Sequence, residues 1–148
     1  MKSNSQRIDP VKRVAQQREQ NAAETLSKVQ ASYGQAQAKL HELVQYRTDY
    51  LAEFQYRAKK GMSGSQLQHY KSFLLQLEKA IETQQRQIEL LQGQVSQQRK
   101  EWQSRNQRSQ AVDKYQQKLK QKEIADRDRK EARRLEDDLN NLNNSVKQ

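Results

Sequence analysis

The chain lacks cysteine, contains one proline and four glycines, and is only 32% hydrophobic over its 148 residues. Without cysteine it can form neither disulfides nor thiolate metal sites, and it suits a reducing compartment. No apolar run approaches the roughly 18 residues of a membrane span, and no signal-peptide core follows the first residues, so we expect a cytoplasmic protein. The hydrophobic content is too low for a layered globular core and suits helices that each bury one narrow stripe.

Residue sets typical of enzymatic or metal sites are also missing. No glycine-rich phosphate loop, Ser/His/Asp set or paired-carboxylate cleft stands out in the sequence. His41 and His69 fall on different predicted helices, and neither has acidic residues or cysteine at ligand spacing, which argues against a metal site. We therefore expect a non-enzymatic protein without a cofactor or metal.

A heptad pattern marks a first helix and argues against a disordered chain. Alternating steps of four and three residues visit Ala22, Leu26, Val29, Tyr33, Ala36, Leu40, Leu43, Arg47, Tyr50 and Phe54. Asp9 as the N-cap and Pro10 as the first helical residue predict that this helix begins near residue 9. Its end is expected near residue 59, where Lys59 and Lys60 suit a helix C-terminus.

Residues 60–65 are predicted to form a turn, since Gly61 suits the left-handed position after a helix. Ser65 and Gln68 have the spacing of a capping box for a second helix. The heptad pattern then continues through Leu67, Tyr70, Leu74, Leu77, Ile81, Gln84, Ile88, Leu91, Val95, Gln98, Trp102, Arg105, Ser109, Val112, Gln116 and Leu119. The second helix is expected over about residues 66–135, and the charged tail at residues 136–148 is expected to fray.

A turn this short makes the two helices antiparallel neighbours. The prediction is an all-α protein, a single long antiparallel two-helix coiled-coil hairpin over residues 1–148. We align Phe54 with Tyr70, because this register places the bulky Trp102 opposite the small Ala22. We expect a monomer when the chain is free; a homodimer whose helices pair between chains is the alternative.

The net charge of +10 favours an acidic partner, which could be nucleic acid, anionic lipid or an acidic protein surface. The hairpin would bring two basic segments to the end opposite the turn. Their basic residues are Lys2, Arg7, Lys12 and Arg13 in the first segment, and Arg99, Lys100, Arg105, Arg108, Lys114, Lys118, Lys120 and Lys122 in the second. A basic run of this kind is also compatible with an ordinary solvated helix face.

A second apolar stripe lies beside the heptad positions, close to the turn. Phe73, Leu77, Ala80 and Gln84 follow one another at steps of four, three and four residues. An aromatic residue exposed beside leucine is unfavourable without a partner, so this stripe predicts a docking face. The alternative is that Phe73 only broadens the packed stripe. Tyr46, Tyr50 and Tyr56 are interpreted as packing aromatics rather than stacking platforms for bases.

Two segments around the turn resemble the FliJ family of the bacterial flagellar type III export apparatus. They are residues 43–50 (LVQYRTDY) and residues 70–84 (YKSFLLQLEKAIETQ), separated by Gly61 and followed by the lone Trp102. The pattern YxxFLxxLEKAI after a glycine-containing turn is fairly specific for a coiled coil. The resemblance extends over about residues 10–115 and is weak in the tail.

The resemblance implies a fold similar to the two long helices of the rotary ATPase γ subunit. It also implies a stalk whose terminal end sits in the pore of a hexameric flagellar export ATPase. The turn end would then face the cytoplasmic domain of the export gate protein FlhA, and export chaperones are further expected partners. By position, Phe73, Leu77 and Ala80 match the gate-contacting face, and Gln84 stands where the family commonly has histidine. The basic residues expected to face the ATPase pore are Lys12, Arg13, Arg105, Arg108, Lys114 and Lys118.

We therefore predict a component that couples the export ATPase to the gate and supports flagellum assembly and motility. It would lie in the cytoplasm, at the cytoplasmic face of the inner membrane, through the export apparatus. The equivalent stalk of a virulence type III secretion injectisome is the closest alternative. A basic coiled coil that binds nucleic acid or anionic membrane is a more distant one, because no base-reading residues interrupt the basic run.

Overall fold

The computed structural model describes residues 2–147 as two helices joined by a short turn. Helix α1 spans Asn4–Lys60 and helix α2 spans Gly64–Val146, and no strand occurs within this described part. The two helices pack against each other. The predicted all-α helical hairpin is therefore confirmed.

The turn consists of residues 61–63 and is shorter than the predicted span of residues 60–65. Gly61 has a φ of 100°, a left-handed conformation that side chains other than glycine rarely adopt. Its N–H donates to the carbonyl of Ala58 at 3.2 Å, which closes the last turn of α1. The chain can therefore reverse direction immediately after Lys60.

Helix α2 begins at Gly64, two residues before its predicted start at about residue 66. The Ser63 hydroxyl accepts a hydrogen bond from the Gln66 N–H at 3.1 Å, and the Gln66 side chain accepts one from the Ser63 N–H at 3.3 Å. This is a complete capping box. The predicted box of Ser65 and Gln68 is wrong, because the sequence contains the Ser-x-x-Gln spacing twice and the first copy is the one that caps the helix.

Helix α1 likewise begins at Asn4 and not near residue 9. Ser3 and Gln6 form a capping box with hydrogen bonds of 3.0 and 3.3 Å between their side chains and backbone N–H groups. Pro10 lies inside the helix, and Asp9 accepts a hydrogen bond from the Gln116 side chain instead of capping α1. The predicted start is wrong because interactions with Ser3 and with α2 stabilise an additional turn.

The described chain divides into two compact units. The turn unit comprises Asn21–Trp102, and the terminal unit comprises α1 up to Gln20 together with α2 from Gln103. In the turn unit, every predicted heptad position is buried or half-buried. The most buried of these are Ala22, Ala36, Leu77, Ile81 and Val95. The apolar stripe predicted from the sequence is thus the packed interface of the two helices.

In the terminal unit the same heptad spacing continues beyond the predicted stripe. On α1 it passes through Ser5, Ile8, Lys12, Ala15 and Glu19, all of which are buried or half-buried. On α2 the pairing ends at Glu123, and residues 124–147 are all exposed. The interface therefore reaches the first turn of α1, although several of its terminal positions are polar.

The tail predicted to fray, residues 136–148, is helical over residues 136–146, and its last residue, Gln148, lies outside the described residues. Once a helix exists, each further residue adds one backbone hydrogen bond at little cost in nucleation. Pairs of opposite charge one turn apart add to this, as between Arg129 and Asp126 at 3.0 Å. The tail therefore extends α2 without packing against another helix.

Candidate partner-binding surfaces

Phe73, the aromatic residue of the predicted gate-contacting stripe, is half-buried beside two tyrosines of α1. The centroids of the Phe73 and Tyr50 rings are 4.7 Å apart, and Tyr46 meets Phe73 edge-on at 6.0 Å. Both distances are typical of favourable aromatic pairs. Phe73 therefore broadens the packed interface and also leaves part of its ring accessible beside Tyr46.

These residues belong to an aromatic cluster formed by Tyr46, Tyr50, Phe54, Tyr70 and Phe73. The centroid of the Tyr70 ring lies 5.1 Å from that of Tyr50 and 5.6 Å from that of Phe54. The predicted register aligns Phe54 with Tyr70, and these two rings are in contact. Burial, followed by the neighbouring Tyr70 and Tyr46, raises the pKa of the Tyr50 phenol. The cluster holds the two helices together close to the turn.

The other three residues of the predicted stripe differ in their surroundings. Leu77 is only 7% exposed and belongs to the packed interface. The Gln84 side chain is half-buried and donates a hydrogen bond to the Ala36 carbonyl at 2.9 Å. Ala80 is exposed. Of the four side chains, Ala80 is therefore the most accessible, Phe73 is accessible in part, and the half-buried Gln84 already bonds to the other helix.

Two tyrosines of the turn unit are largely exposed, Tyr46 from the aromatic cluster and Tyr56 outside it. Tyr46 is 51% exposed and Tyr56 is 61% exposed. The Lys60 ammonium lies 4.5 Å from the centre of the Tyr56 ring. Tyr46 and Tyr56 both line an open groove that also includes Phe73 and His69. Of the three tyrosines predicted to be packing residues, Tyr50 lies in the helix interface, whereas Tyr46 and Tyr56 are more exposed than that prediction implies.

The six basic residues predicted to face the ATPase pore have different surroundings in the terminal unit. Lys12 is half-buried and forms a salt bridge with Asp113 at 2.8 Å. Arg105 is half-buried at a heptad position. The remaining four are exposed: Arg13, Arg108, Lys114 and Lys118. The exposed four could contact an acidic partner, whereas Lys12 already serves the pairing of α1 with α2.

Two polar residues of α2 bind the first turns of α1, and sequence reasoning missed both contacts. Gln116, which is 2% exposed, donates from its side-chain amide to the Ser5 carbonyl at 3.0 Å and to the Asp9 carboxylate. The Glu123 carboxylate accepts from the Ser5 N–H at 2.9 Å and from the Ser5 hydroxyl at 2.7 Å. The only signal for these contacts was that Gln116 continues the heptad spacing and Glu123 lies four residues after Leu119.

The hydrogen bonds to Glu123 also set its protonation. The backbone N–H of Ser5 has the largest effect and the Ser5 hydroxyl the next, and together they lower the pKa of the Glu123 carboxyl. The free N–H groups and the dipole of a helix N-terminus favour a negative charge at this position. Glu123 is therefore an ionised anchor for the start of α1.

The described residues carry no group of three or more histidine or acidic side chains that could hold a metal ion. In the same part of the chain, neither helix has the length and hydropathy needed to cross a membrane.

A family model described as flagellar FliJ protein matches residues 4–145. The chain belongs to the FliJ family. The resemblance inferred from the turn segments is thus confirmed over nearly the whole chain, including the tail where the sequence alone resembled the family only weakly. No curated protein and no solved structure matches the chain.

Membership of the FliJ family identifies a protein associated with flagellar type III export. The family is a non-catalytic one of helical proteins, which agrees with the two-helix architecture. The Gln84 side chain of this FliJ-family chain donates its hydrogen bond to a carbonyl of the other helix. It therefore helps to hold the two helices together.

Proposed function

We propose that this FliJ-family chain is a non-enzymatic stalk component of the flagellar type III export apparatus. It couples the hexameric export ATPase to the export gate and supports flagellum assembly. Its turn unit binds the cytoplasmic domain of FlhA, and its terminal unit binds the ATPase. The protein acts in the cytoplasm and is held at the cytoplasmic face of the inner membrane through these partners.

The observation that carries this proposal is the family match over residues 4–145 combined with the accessible face around Phe73 and Ala80. An aromatic ring that is already held by neighbouring side chains loses little conformational freedom when a partner protein binds it. Ala80 has no long side chain, so a partner can approach the helix closely there. The face therefore suits a protein partner, as the gate-binding role requires.

The terminal unit supports the second half of the proposal through its charge. Arg13, Arg108, Lys114 and Lys118 are exposed, and exposed cations of this kind accelerate binding to an acidic surface and help to orient it. Binding one partner through the turn unit and another through the terminal unit would link the two mechanically. No bond is made or broken by the chain in this role.

The gate-binding half of the proposal is tested with Phe73→Ala and Ala80→Glu. Each change should weaken binding to the purified cytoplasmic domain of FlhA by about tenfold or more, because it removes an anchor or places a charge in the contact. Isothermal titration calorimetry measures the affinity, and far-UV circular dichroism with thermal unfolding checks that the hairpin persists. This check matters for Phe73→Ala, which also removes ring contacts with Tyr46 and Tyr50, whereas Ala80→Glu leaves these contacts in place. Leu77→Ala is unsuitable, since cutting back this buried side chain is expected to destabilise the hairpin by about 2–5 kcal/mol.

Matched controls come from exposed positions of the same unit. Leu90, which is 65% exposed, is changed to alanine, and the exposed Ala31 is changed to glutamate. Both controls should bind FlhA like the unchanged chain. Equal affinities for all five proteins would show that this face is not the gate-binding surface.

Two alternative functions can be distinguished from the proposed flagellar stalk by simple observations. The stalk of a virulence injectisome would have the same mechanics, and neighbouring genes for flagellar or injectisome proteins distinguish the two machines. The basic terminal segments favour nucleic acid as the other candidate. Binding of that kind would fall steeply between about 50 and 200 mM salt.

A further inference from the structure

The exposed end of α2 carries an apolar stripe of its own. Leu135, Leu139, Leu142 and Val146 follow one another at steps of four, three and four residues, which is the spacing of a coiled-coil interface. Each of the first three is about 60% exposed and Val146 is 82% exposed. We name these four residues the tail stripe. In a single chain all of them remain in contact with water, although burial against a second helix would be favourable.

The tail stripe does not continue the stripe of α2 that packs against α1. Extended beyond Glu123 with the same spacing, the packed stripe would pass through Asp126, Lys130, Arg133 and Asp137, which are all charged. Each residue of the tail stripe lies two positions after a position of this extended stripe, which is about 200° around the helix. The tail stripe therefore lies on nearly the opposite face of α2 from α1. A longer α1 could not cover it.

The order of residues in the tail suits antiparallel pairing with a second copy of the chain. When Leu139 lies opposite Leu142 of the second copy, Leu135 lies opposite its Val146, so all four layers of the contact are apolar. In this register the acidic segment 136–138 (EDD) lies opposite the uncharged segment 143–145 (NNS) of the second copy. The tail is thus complementary to itself in its apolar and in its charged positions.

Charge disfavours the parallel alternative. Parallel pairing would place the two acidic segments 136–138 side by side and Glu131 beside Glu136 of the second copy. It would also bring together residues 2–20 and 103–123 of both copies, which contain eleven lysines and arginines against four acidic residues, a net charge of +7 in each chain. In the antiparallel pair, the two Glu123 residues lie about 50 Å apart along the axis at 1.5 Å per residue. This is several times the Debye length in physiological salt, so the repulsion is screened.

We propose that the tail stripe is a self-association surface, through which two copies of this chain pair antiparallel over residues 135–146. Four apolar layers form a smaller contact than the interfaces of stable dimers. The pair therefore forms at high protein concentration, and the chain is a monomer when dilute. The contact uses residues outside the packed hairpin and does not depend on either partner in the proposed function.

Sedimentation equilibrium of the full chain tests the proposal. The average mass should rise from that of one chain towards that of two between about 10 µM and 1 mM, the range of a weak dimer. In Leu139→Gln with Leu142→Gln, the dissociation constant should rise by about tenfold or more, because the central layers lose their apolar side chains. The matched control, Leu75→Gln with Leu90→Gln, changes leucines of similar exposure in the turn unit and should pair like the unchanged chain.

A second variant, Asn143→Glu with Asn144→Glu, keeps the test valid if the glutamine variant loses helical signal by circular dichroism. It leaves the tail stripe intact and places carboxylates opposite the acidic segment 136–138 of the second copy, so pairing should weaken by about tenfold. Glutamate is a better helix former than asparagine, so the tail should remain helical. Gln85→Glu with Gln92→Glu makes the same change of charge at exposed positions of the turn unit and should pair normally.

The direction of pairing is tested with nitroxide labels on single introduced cysteines, since the chain has no cysteine of its own. Pulsed electron paramagnetic resonance should give about 40 Å between the labels of an Arg127→Cys pair and about 25 Å for an Arg133→Cys pair. These distances follow from the antiparallel register at 1.5 Å per residue with helix axes about 10 Å apart. A parallel pair would give the same short distance at both positions and would overturn the proposed arrangement.

Three further results would overturn the proposal and leave the proposed function standing. The first is an unchanged chain whose mass remains that of a monomer up to about 1 mM. The second is a dimer that forms equally well in the tail variants, which would show that two chains pair through another surface. The third is a chain that stays monomeric while the tail variants lose binding to FlhA or to the export ATPase, which would make that protein the occupant of the stripe.

Discussion

Glu123 uses both carboxylate oxygens to bind Ser5, one accepting from the backbone N–H and the other from the hydroxyl. The first N–H groups of a helix have no partner within the helix, so a carboxylate there satisfies donors that would otherwise need water. Ser5 itself is only 4% exposed. A single acidic side chain therefore replaces the solvent at the start of α1.

The lowered pKa of Glu123 gives this contact a defined pH dependence. Because the folded chain favours the ionised carboxylate, its stabilising contribution is present above the ordinary glutamate value of 4.5 and is lost as the pH falls through the lower folded pKa. We expect the nuclear magnetic resonance signal of the Ser5 amide to shift with a midpoint below 4.5.

The control for this titration is Glu131→Gln, since Glu131 lies in the exposed part of α2. The Ser5 amide should titrate normally in that variant and lose the transition in Glu123→Gln. A transition that survives Glu123→Gln would show that another acidic group is responsible.

The two helices begin with the same device, a capping box in which serine and the glutamine three residues later exchange hydrogen bonds. Ser3 with Gln6 starts α1, and Ser63 with Gln66 starts α2. Each box satisfies N–H groups that the helix itself leaves without partners. The short turn is possible because Gly61 ends one helix and Ser63 begins the next.

The capping box of α2 is tested by comparing Ser63→Ala with Ser65→Ala. The first change should lower the free energy of unfolding by about 1 kcal/mol, because an N-cap hydroxyl is lost. The second should change it by less than about 0.5 kcal/mol, since Ser65 lies inside the helix and alanine is a good helix former. Urea unfolding followed by circular dichroism measures both, and a larger effect at Ser65 would restore the cap predicted from the sequence.

The helices and their packed stripe could be predicted because the heptad spacing continues from Ala22 to Leu119 and is mainly apolar up to Val95. The ends could not, for two physical reasons. The sequence offers two overlapping capping boxes near Ser63, and the spacing alone does not choose between them. At the start of α1, the interface continues through the polar residues Ser5 and Lys12. Ser5 pairs with Glu123 and Lys12 with Asp113, and the sequence alone does not show that these residues meet.

Across the whole chain, positive charge is concentrated rather than spread. Residues 2–20 and 103–123 carry +7, whereas residues 124–147 contain six basic and six acidic residues. Residues 124–147 are also all exposed. The end of α2 therefore contributes neither packing nor net charge to the hairpin.

Removal of residues 124–148 should consequently leave the hairpin intact. We expect the thermal midpoint to change by about 2 °C or less, because the deleted residues that the structure describes bury no surface against another helix, while the helical circular dichroism signal falls with the loss of helical residues. The contrasting deletion of residues 113–148 removes Gln116 and Glu123 and should lower the midpoint clearly. A large loss of stability in the shorter deletion would contradict this view of the tail.

The candidate surfaces were predictable only in part. The sequence pattern predicted a docking stripe that includes Phe73 and Ala80, and the structure leaves both at least partly accessible. The same pattern placed Leu77 both in the packed stripe and in the docking stripe, and the structure assigns Leu77 to the packed one. Charge counting found the exposed Arg108 but also included Lys12, which is engaged with Asp113.

The bond between Glu123 and Ser5 has a mechanical consequence for a protein proposed to link two machines. A heptad stripe is nearly self-similar, so two paired helices could in principle slide past each other by seven residues and repack. Along α1, backbone N–H groups without a helical partner exist only in the first turn, so after such a slide the Glu123 carboxylate would find none. The anchor therefore makes the slipped arrangement unfavourable, and a push or pull along the helix axis would move α1 and α2 together.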